Sequence, residues 1–220
     1  LDVVLFDIDG TLVDTGGAGR RAIGRAAEAL HGRLDLFDGV AFDGATDRAI
    51  CRSGLARLAR LFAESDIDGL LEAYLAMLSD EVARSPYAVY PGVRECIAGL
   101  EHRGVLLGLG TGNIEPGARI KLARGDLNAP FSFGGFGSDA EERALILEAG
   151  LARAAALLGR APRDPWIIGD TPKDLAAGRA VGASVVLVAT GRYGIEELAS
   201  FEPDLCVATL EDPRVLALGE

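Results

Sequence analysis

Val3-Val4-Leu5-Phe6-Asp7-Ile8-Asp9-Gly10-Thr11-Leu12, an apolar run that ends on two aspartates, organises the rest of the chain. Four apolar residues rich in β-branching predict a buried strand over 2–6. Open parallel α/β sheets place their ligand sites at the carboxyl ends of strands, which is where Asp7 and Asp9 fall. If the strand continues, side-chain alternation puts both carboxylates on one side. Two carboxylates that close repel unless a cation or a proton lies between them. The Asp9-Gly10 pair also reads as an ordinary turn.

Further strand-like runs recur at 104–110, 131–136, 165–169 and 184–189, with a weaker one near 204–208. Helical patterns lie between them at 93–103, 142–158 and 173–181, the last after Pro172, which suits a helix start. Alternation of this kind predicts an α/β fold, a three-layer Rossmann-like parallel sheet covered on both faces. The stretch 17–88 breaks it with three helical patterns and no strand. They are marked by Ile23, Ala27 and Leu30, by Ile50, Gly54, Leu58 and Leu61, and by Leu71, Tyr74, Leu75, Leu78 and Val82. We read 1–16 and 89–220 as the catalytic core and 17–88 as an inserted α-helical cap. Hinges are expected at Gly16-Gly17 and at 85–92, which carries Pro86 and Pro91.

The 220 residues are 49% hydrophobic, enough for a substantial core. A net charge of −11 argues against a nucleic-acid partner, which needs a basic face, but not against a small anion at a locally positive site. Cys51, Cys96 and Cys206 lack metal-ligand spacing and are expected to be buried free thiols. His31 and His102 sit near predicted helix ends, where surface roles are expected. No run is long enough to span a bilayer and no signal-peptide pattern is present, so a cytoplasmic protein without a membrane partner is expected. Nothing in the sequence fixes an oligomeric state.

Three more clusters follow strands. Thr111-Gly112-Asn113 offers a hydroxyl and backbone N–H groups for phosphate oxygens, or is simply a turn. Gly169-Asp170-Thr171-Pro172-Lys173-Asp174 places two carboxylates one helical turn apart, with Asp170 a helix N-cap in the alternative reading. Gly134–Gly137 leads through Ser138 and Asp139 to Arg143. Carboxylates, a hydroxyl and a cation at one sheet edge suit Mg²⁺, which binds through few protein oxygens plus phosphate.

In this order the motifs resemble the haloacid dehalogenase superfamily, in its phosphatase-like branch with a helical cap after the first strand, close to phosphoglycolate phosphatases. Asp7-Ile8-Asp9-Gly10-Thr11 matches the first motif, Thr111 the second, and Gly169 to Asp174 the fourth. The resemblance implies a small phosphorylated substrate, Asp7 as nucleophile and Asp9 as acid and base. It implies Mg²⁺ held by Asp7, the Asp9 backbone carbonyl and Asp170, with Asp174 behind or bound through water. Thr111, Gly112 and Asn113 would hold the phosphoryl oxygens. The third motif departs: its usual lysine is missing from Ser138 to Ala144, and Lys121 and Lys173 are the chain's two lysines. Arg143 is the expected replacement; Lys121, the other candidate, is expected at the surface. In the cap, Thr46 and Arg48 are candidate substrate contacts, with Thr46 or Asp47 a helix N-cap in the other reading. Arg20, Arg21 and Arg25 raise a second anionic group on the substrate. Asp9 argues against a dehalogenase, and a cap without lysine argues against a phosphonate hydrolase. A sugar phosphomutase resembling β-phosphoglucomutase, or a non-catalytic binding relative, are the alternatives.

Overall fold

In a computed structural model of the chain, residues 1–58 and 60–219 are described. Ala59, inside the helical pattern read from Ile50 to Leu61, and Glu220 lie outside the described residues. The main sheet contains β1 (Val3–Phe6), β4 (Leu106–Gly110), β5 (Gly134–Gly135), β6 (Trp166–Gly169), β7 (Ser184–Val188) and β8 (Leu205–Val207). Their order is β5-β4-β1-β6-β7-β8 and every pairing is parallel. Parallel strands are buried on both faces and read as unbroken apolar runs. Along β1, Val4 and Phe6 face one apolar cluster with α4 (Val93–His102) and α5 (Glu115–Ala123). Val3 and Leu5 face the other, with α6 (Arg143–Leu158), α7 (Pro172–Ala180) and α8 (Ile195–Ala199). The expected three-layer architecture is present.

Strand β5 is shorter than the predicted 131–136. Its glycines are there because α6 lies directly on it: a Cβ at Gly135 would sit 1.8 Å from the Ile146 carbonyl oxygen. That close approach sets the first turn of α6, and Arg143, beside the central strands.

Between the crossings lie α1 (Ala18–His31), α2 (Asp47–Leu55) and α3 (Glu64–Arg84), around an apolar cluster of their own that includes Ile23, Leu36, Ile50, Leu70 and Leu78. The second pattern stops short: α2 ends at Leu55, and Leu61 is exposed. The two crossings are joined by an antiparallel ribbon, β2 (Val13–Asp14) with β3 (Ala88–Val89), which the sequence reading missed. Gly16 turns out of it at φ +56°, where an added Cβ would meet the Pro86 carbonyl oxygen at 2.6 Å. Cys51 and Cys96 are buried free thiols as expected; Cys206 is only half-buried. Helices α1 and α4 end on His31 and His102. No helix among the described residues is long and apolar enough to cross a membrane.

Candidate active site

Strand β1 ends at Phe6, so the two aspartates part instead of sharing a side. Asp7 keeps the alternation of Val3 and Leu5 and points toward α6. Ile8 returns to the opposite cluster, and the chain then curls, with Gly10 N–H donating to the Val13 carbonyl at 3.2 Å. Asp9 is thereby turned toward α5. Gly10 adopts φ +83°, and a Cβ there would lie 2.2 Å from Asp170 Oδ2.

Asp7 is 5% exposed and faces Arg143, whose Nη2 lies 3.0 Å from Asp7 Oδ2. The same guanidinium holds Asp174 Oδ1, through Nε at 2.8 Å and Nη2 at 2.5 Å. Arg143 occupies a place on the apolar stripe of α6 with Ile146, Leu147 and Gly150, which buries it. The opposing carboxylates raise its pKa despite the burial. Burial pushes the Asp7 carboxyl up to about 6 against the pull of Arg143.

Asp170 follows β6 and is also 5% exposed. It is not the N-cap: Thr171 takes that position on α7, its hydroxyl and N–H donating to Asp174 Oδ2 at 2.7 and 3.0 Å. Both Asp174 oxygens are thus committed. Among the described residues Asp170 has one weak hydrogen-bond contact, Thr11 Oγ1 at 3.5 Å, long for a hydrogen bond. Gly10 and Gly191 leave the space beside it free of side chains. Burial, with Asp174 and Asp7 adding repulsion, pushes its carboxyl up to about 9. Asp7, Asp170 and Asp174 offer oxygens within 4.8 Å of one another. A buried, under-bonded carboxylate beside a second one is the donor set of a hard cation, and the residues fit a divalent metal.

Thr111 follows β4, and its Oγ1 accepts from Asn113 Nδ2 at 2.9 Å. Asn113 Nδ2 also donates to Asp9 Oδ2 at 2.8 Å. Lys121 is not at the surface. It is 5% exposed, and its Nζ donates to Asp9 Oδ2 and Asn113 Oδ1, each at 2.6 Å. The sequence carried a signal for this: Lys121 shares a helix face with Gly117, Ala118 and Leu122, where an apolar residue belongs.

The segment that carries α1 to α3 lies over this edge. Asp47 N–H donates to the Gly112 carbonyl, and Asp47 Oδ2 accepts from Ile114 N–H, both at 2.9 Å. Lys173 Nζ donates to the Asp43 carbonyl at 2.9 Å, and Arg192 pairs with Asp43 at 2.6 Å. The cleft between that segment and the edge is about 520 Å³, lined by Asp7, Asp9, Thr111, Lys121, Arg143 and Asp170 and by Phe42, Ile50 and Tyr74.

Two cap residues do not line it. Thr46 is the N-cap of α2, its Oγ1 accepting from Ala49 N–H at 3.2 Å. Arg48 points to the far side of α2, paired with Glu64 at 2.8 Å and Asp68 at 2.7 Å. Of the arginines of α1, Arg21 and Arg25 are committed to Glu81, whereas Arg20, stacked over the Phe42 ring, lines the cleft. Asp139 pairs with Arg153, away from the site.

A family model for haloacid dehalogenase-like hydrolase matches residues 1–182. The chain belongs to that family. It is a hydrolase, and its relatives are phosphatases. The phosphoglycolate phosphatase of Salmonella typhimurium is 29% identical over 95% of this chain and 89% of its own. That of Rhodospirillum rubrum is 30% identical over 90% and 83%. Among solved structures, CbbY from Rhodobacter sphaeroides in complex with phosphate superposes with a TM-score of 0.75, at 20% identity over 99% of this chain and 100% of that one. A predicted phosphoglycolate phosphatase from Haemophilus somnus gives 0.72 at 18% identity, over 99% and 98%. These superpositions show the shared fold.

Proposed function

We propose that the chain is a Mg²⁺-dependent phosphomonoesterase that works through an aspartyl-phosphate on Asp7. The observation that carries this is the setting of Asp7: a buried carboxylate with Arg143 on one flank, under-bonded Asp170 on the other and the Thr111 turn lining the same cleft. Four carboxylates, Asp7, Asp9, Asp170 and Asp174, face two cations, Arg143 and Lys121. The negative excess suits a divalent ion. Asp7, Asp170 and the Asp9 backbone carbonyl would hold Mg²⁺, with Asp174 fixed behind them by Arg143 and Thr171. When bound, it neutralises the carboxylates and polarises the phosphoryl group.

Asp7 attacks phosphorus as the ester P–O bond breaks, and the leaving oxygen takes the proton of Asp9. Water then attacks the phosphoryl group, Asp9 takes its proton, and the bond to Asp7 breaks to release phosphate. Arg143 balances the charge of Asp7 and the transferred group; Thr111 and the N–H groups after it bind phosphoryl oxygens. The cap shields these steps from bulk water.

The test is phosphate release from a panel of small esters, with and without Mg²⁺, beside Asp7→Asn. The names of the relatives place 2-phosphoglycolate on that panel. Release that needs Mg²⁺ and vanishes in the variant is expected. Release undiminished in Asp7→Asn refutes the nucleophile, and an isomerised product without free phosphate replaces hydrolysis by mutation.

A further inference from the structure

Lys121 is the buried group that the proposed chemistry leaves without a task. We propose that it is a positioning residue that fixes which oxygen of Asp9 handles protons; this rests on the phosphomonoesterase reading above.

A carboxylate oxygen has two lone pairs. Both lone pairs of Asp9 Oδ2 are engaged, by Lys121 Nζ at 2.6 Å and Asn113 Nδ2 at 2.8 Å. Oδ1 has no hydrogen-bond partner among the described residues, and the Asp9 side chain is 44% exposed while the Lys121 side chain is 6% exposed. The transferable proton therefore rides on Oδ1, on the open side of the carboxyl. The same two bonds hold the carboxylate toward α5. They keep it from swinging to Asp7 and Asp170, where it would become a further oxygen of the acidic cluster.

The surroundings are built to hold Lys121 there. Its ammonium also donates to Asn113 Oδ1, so Lys121, Asn113 and Asp9 close a ring of hydrogen bonds. Tyr87 Oη donates to the Lys121 carbonyl at 2.9 Å, which ties down its backbone. Gly19 on α1 packs against it: an added Cβ would lie 3.5 Å from Nζ, in van der Waals contact. The cap helix thus rests over the ammonium and shuts water from it. A lysine buried this fully and paired this closely is retained at a cost in desolvation, and its place beside one oxygen of the acid accounts for that cost.

In the first step the Asp7–P bond forms, the ester P–O bond breaks, and the electron pair leaves on the ester oxygen. That oxygen takes the Oδ1 proton. Lys121 stays protonated and transfers nothing.

An alkoxide leaving group needs that proton and 4-nitrophenolate does not, which separates positioning from mere structure. kcat/KM reports only the steps through departure of the leaving group. With the Mg²⁺-loaded enzyme, Lys121→Met should lower kcat/KM by about 100-fold or more on the best alkyl phosphate of the panel, the scale of general acid catalysis. On 4-nitrophenyl phosphate the loss should be roughly tenfold or less. Equal losses on the two esters would overturn the inference. Should Lys121→Met leave Asp9 unpaired and the fold impaired, Asp9→Asn and Asp9→Asn/Lys121→Met give the second reading, since the double variant removes both charges. The two should be equal on the alkyl ester if Lys121 acts through Asp9; a further drop in the double variant overturns it. Wild-type enzyme that releases phosphate from neither ester refutes the phosphomonoesterase reading and this inference with it.

Discussion

Asp170→Asn should make the metal-free protein more stable while abolishing its response to Mg²⁺. Asp7 and Asp170 hold carboxylate oxygens within 4.8 Å of each other, and each residue is 5% exposed. Two like charges at that separation repel by roughly 3 kcal/mol at an effective dielectric of about 20. The carboxyl of Asp170, driven up to about 9, expresses the same opposition as proton uptake. Asparagine keeps the shape and fits the space left by Gly10 and Gly191. In chelator, thermal unfolding of the variant should rise by about 6–12 °C, since 1 kcal/mol is worth roughly 2–4 °C in a chain of this size. Adding Mg²⁺ closes the gap: the wild-type protein gains about 2.7 kcal/mol when the free ion reaches roughly a hundred times its dissociation constant. At roughly a thousand times that constant the gain is about 4.1 kcal/mol, which reverses the order. The variant has lost a ligand and should not move. Thermal melts followed by circular dichroism in EDTA, then across a MgCl₂ titration, read both halves. A variant less stable than wild type in EDTA, or one that gains as much from Mg²⁺, would refute the idea that Asp7 and Asp170 oppose each other until a cation joins them.

Arg143→Ala removes the shared partner of Asp7 and Asp174 and leaves two buried carboxylates uncompensated. It should cost about 3–5 kcal/mol in urea unfolding, the range for breaking a buried pair; a loss under about 1 kcal/mol would show the guanidinium to be a bystander. Asp47→Asn tests the seat of the cap through its pH dependence. Burial raises the folded pKa of Asp47 to about 6 from its ordinary 3.8, so its ionisation opposes folding. Wild-type stability therefore falls as pH climbs from about 4 to about 6, by up to about 3 kcal/mol, and that loss persists above it. Asparagine still offers an oxygen to Ile114 N–H. The variant's advantage in urea unfolding should grow between pH 4 and pH 7, and an advantage that does not change with pH would contradict the assignment.

What could be read in the sequence follows from which interactions are local. The strands at 2–6, 165–169 and 184–189 are legible because burial on both faces demands unbroken apolar residues. Strand β5 is not, because Gly134 and Gly135 answer to the backbone of α6 lying on them, a tertiary demand. Arg48 misled for a related reason. Its partners Glu64 and Asp68 are distant in sequence and belong to another helix, so its spacing carried no sign of where it points. Lys121 was misplaced although its signal was present. Asp47, Lys121, Arg143 and Asp174 each occupy a position on the buried face of their helix. A charge there has to be met by another buried group, and in these four cases that group lies at one sheet edge. Glu81 shows that the pattern does not by itself mean a site: it too sits on a buried face, of α3, and is met by Arg21 and Arg25 at a helix–helix seam. The difference is the partner. Glu81 is neutralised by two arginines, whereas Asp7 and Asp170 remain short of cations after Arg143 and Lys121 are spent. Charge left unbalanced after every local pairing, more than any single motif, separates the candidate site at this sheet edge from the rest of the interior.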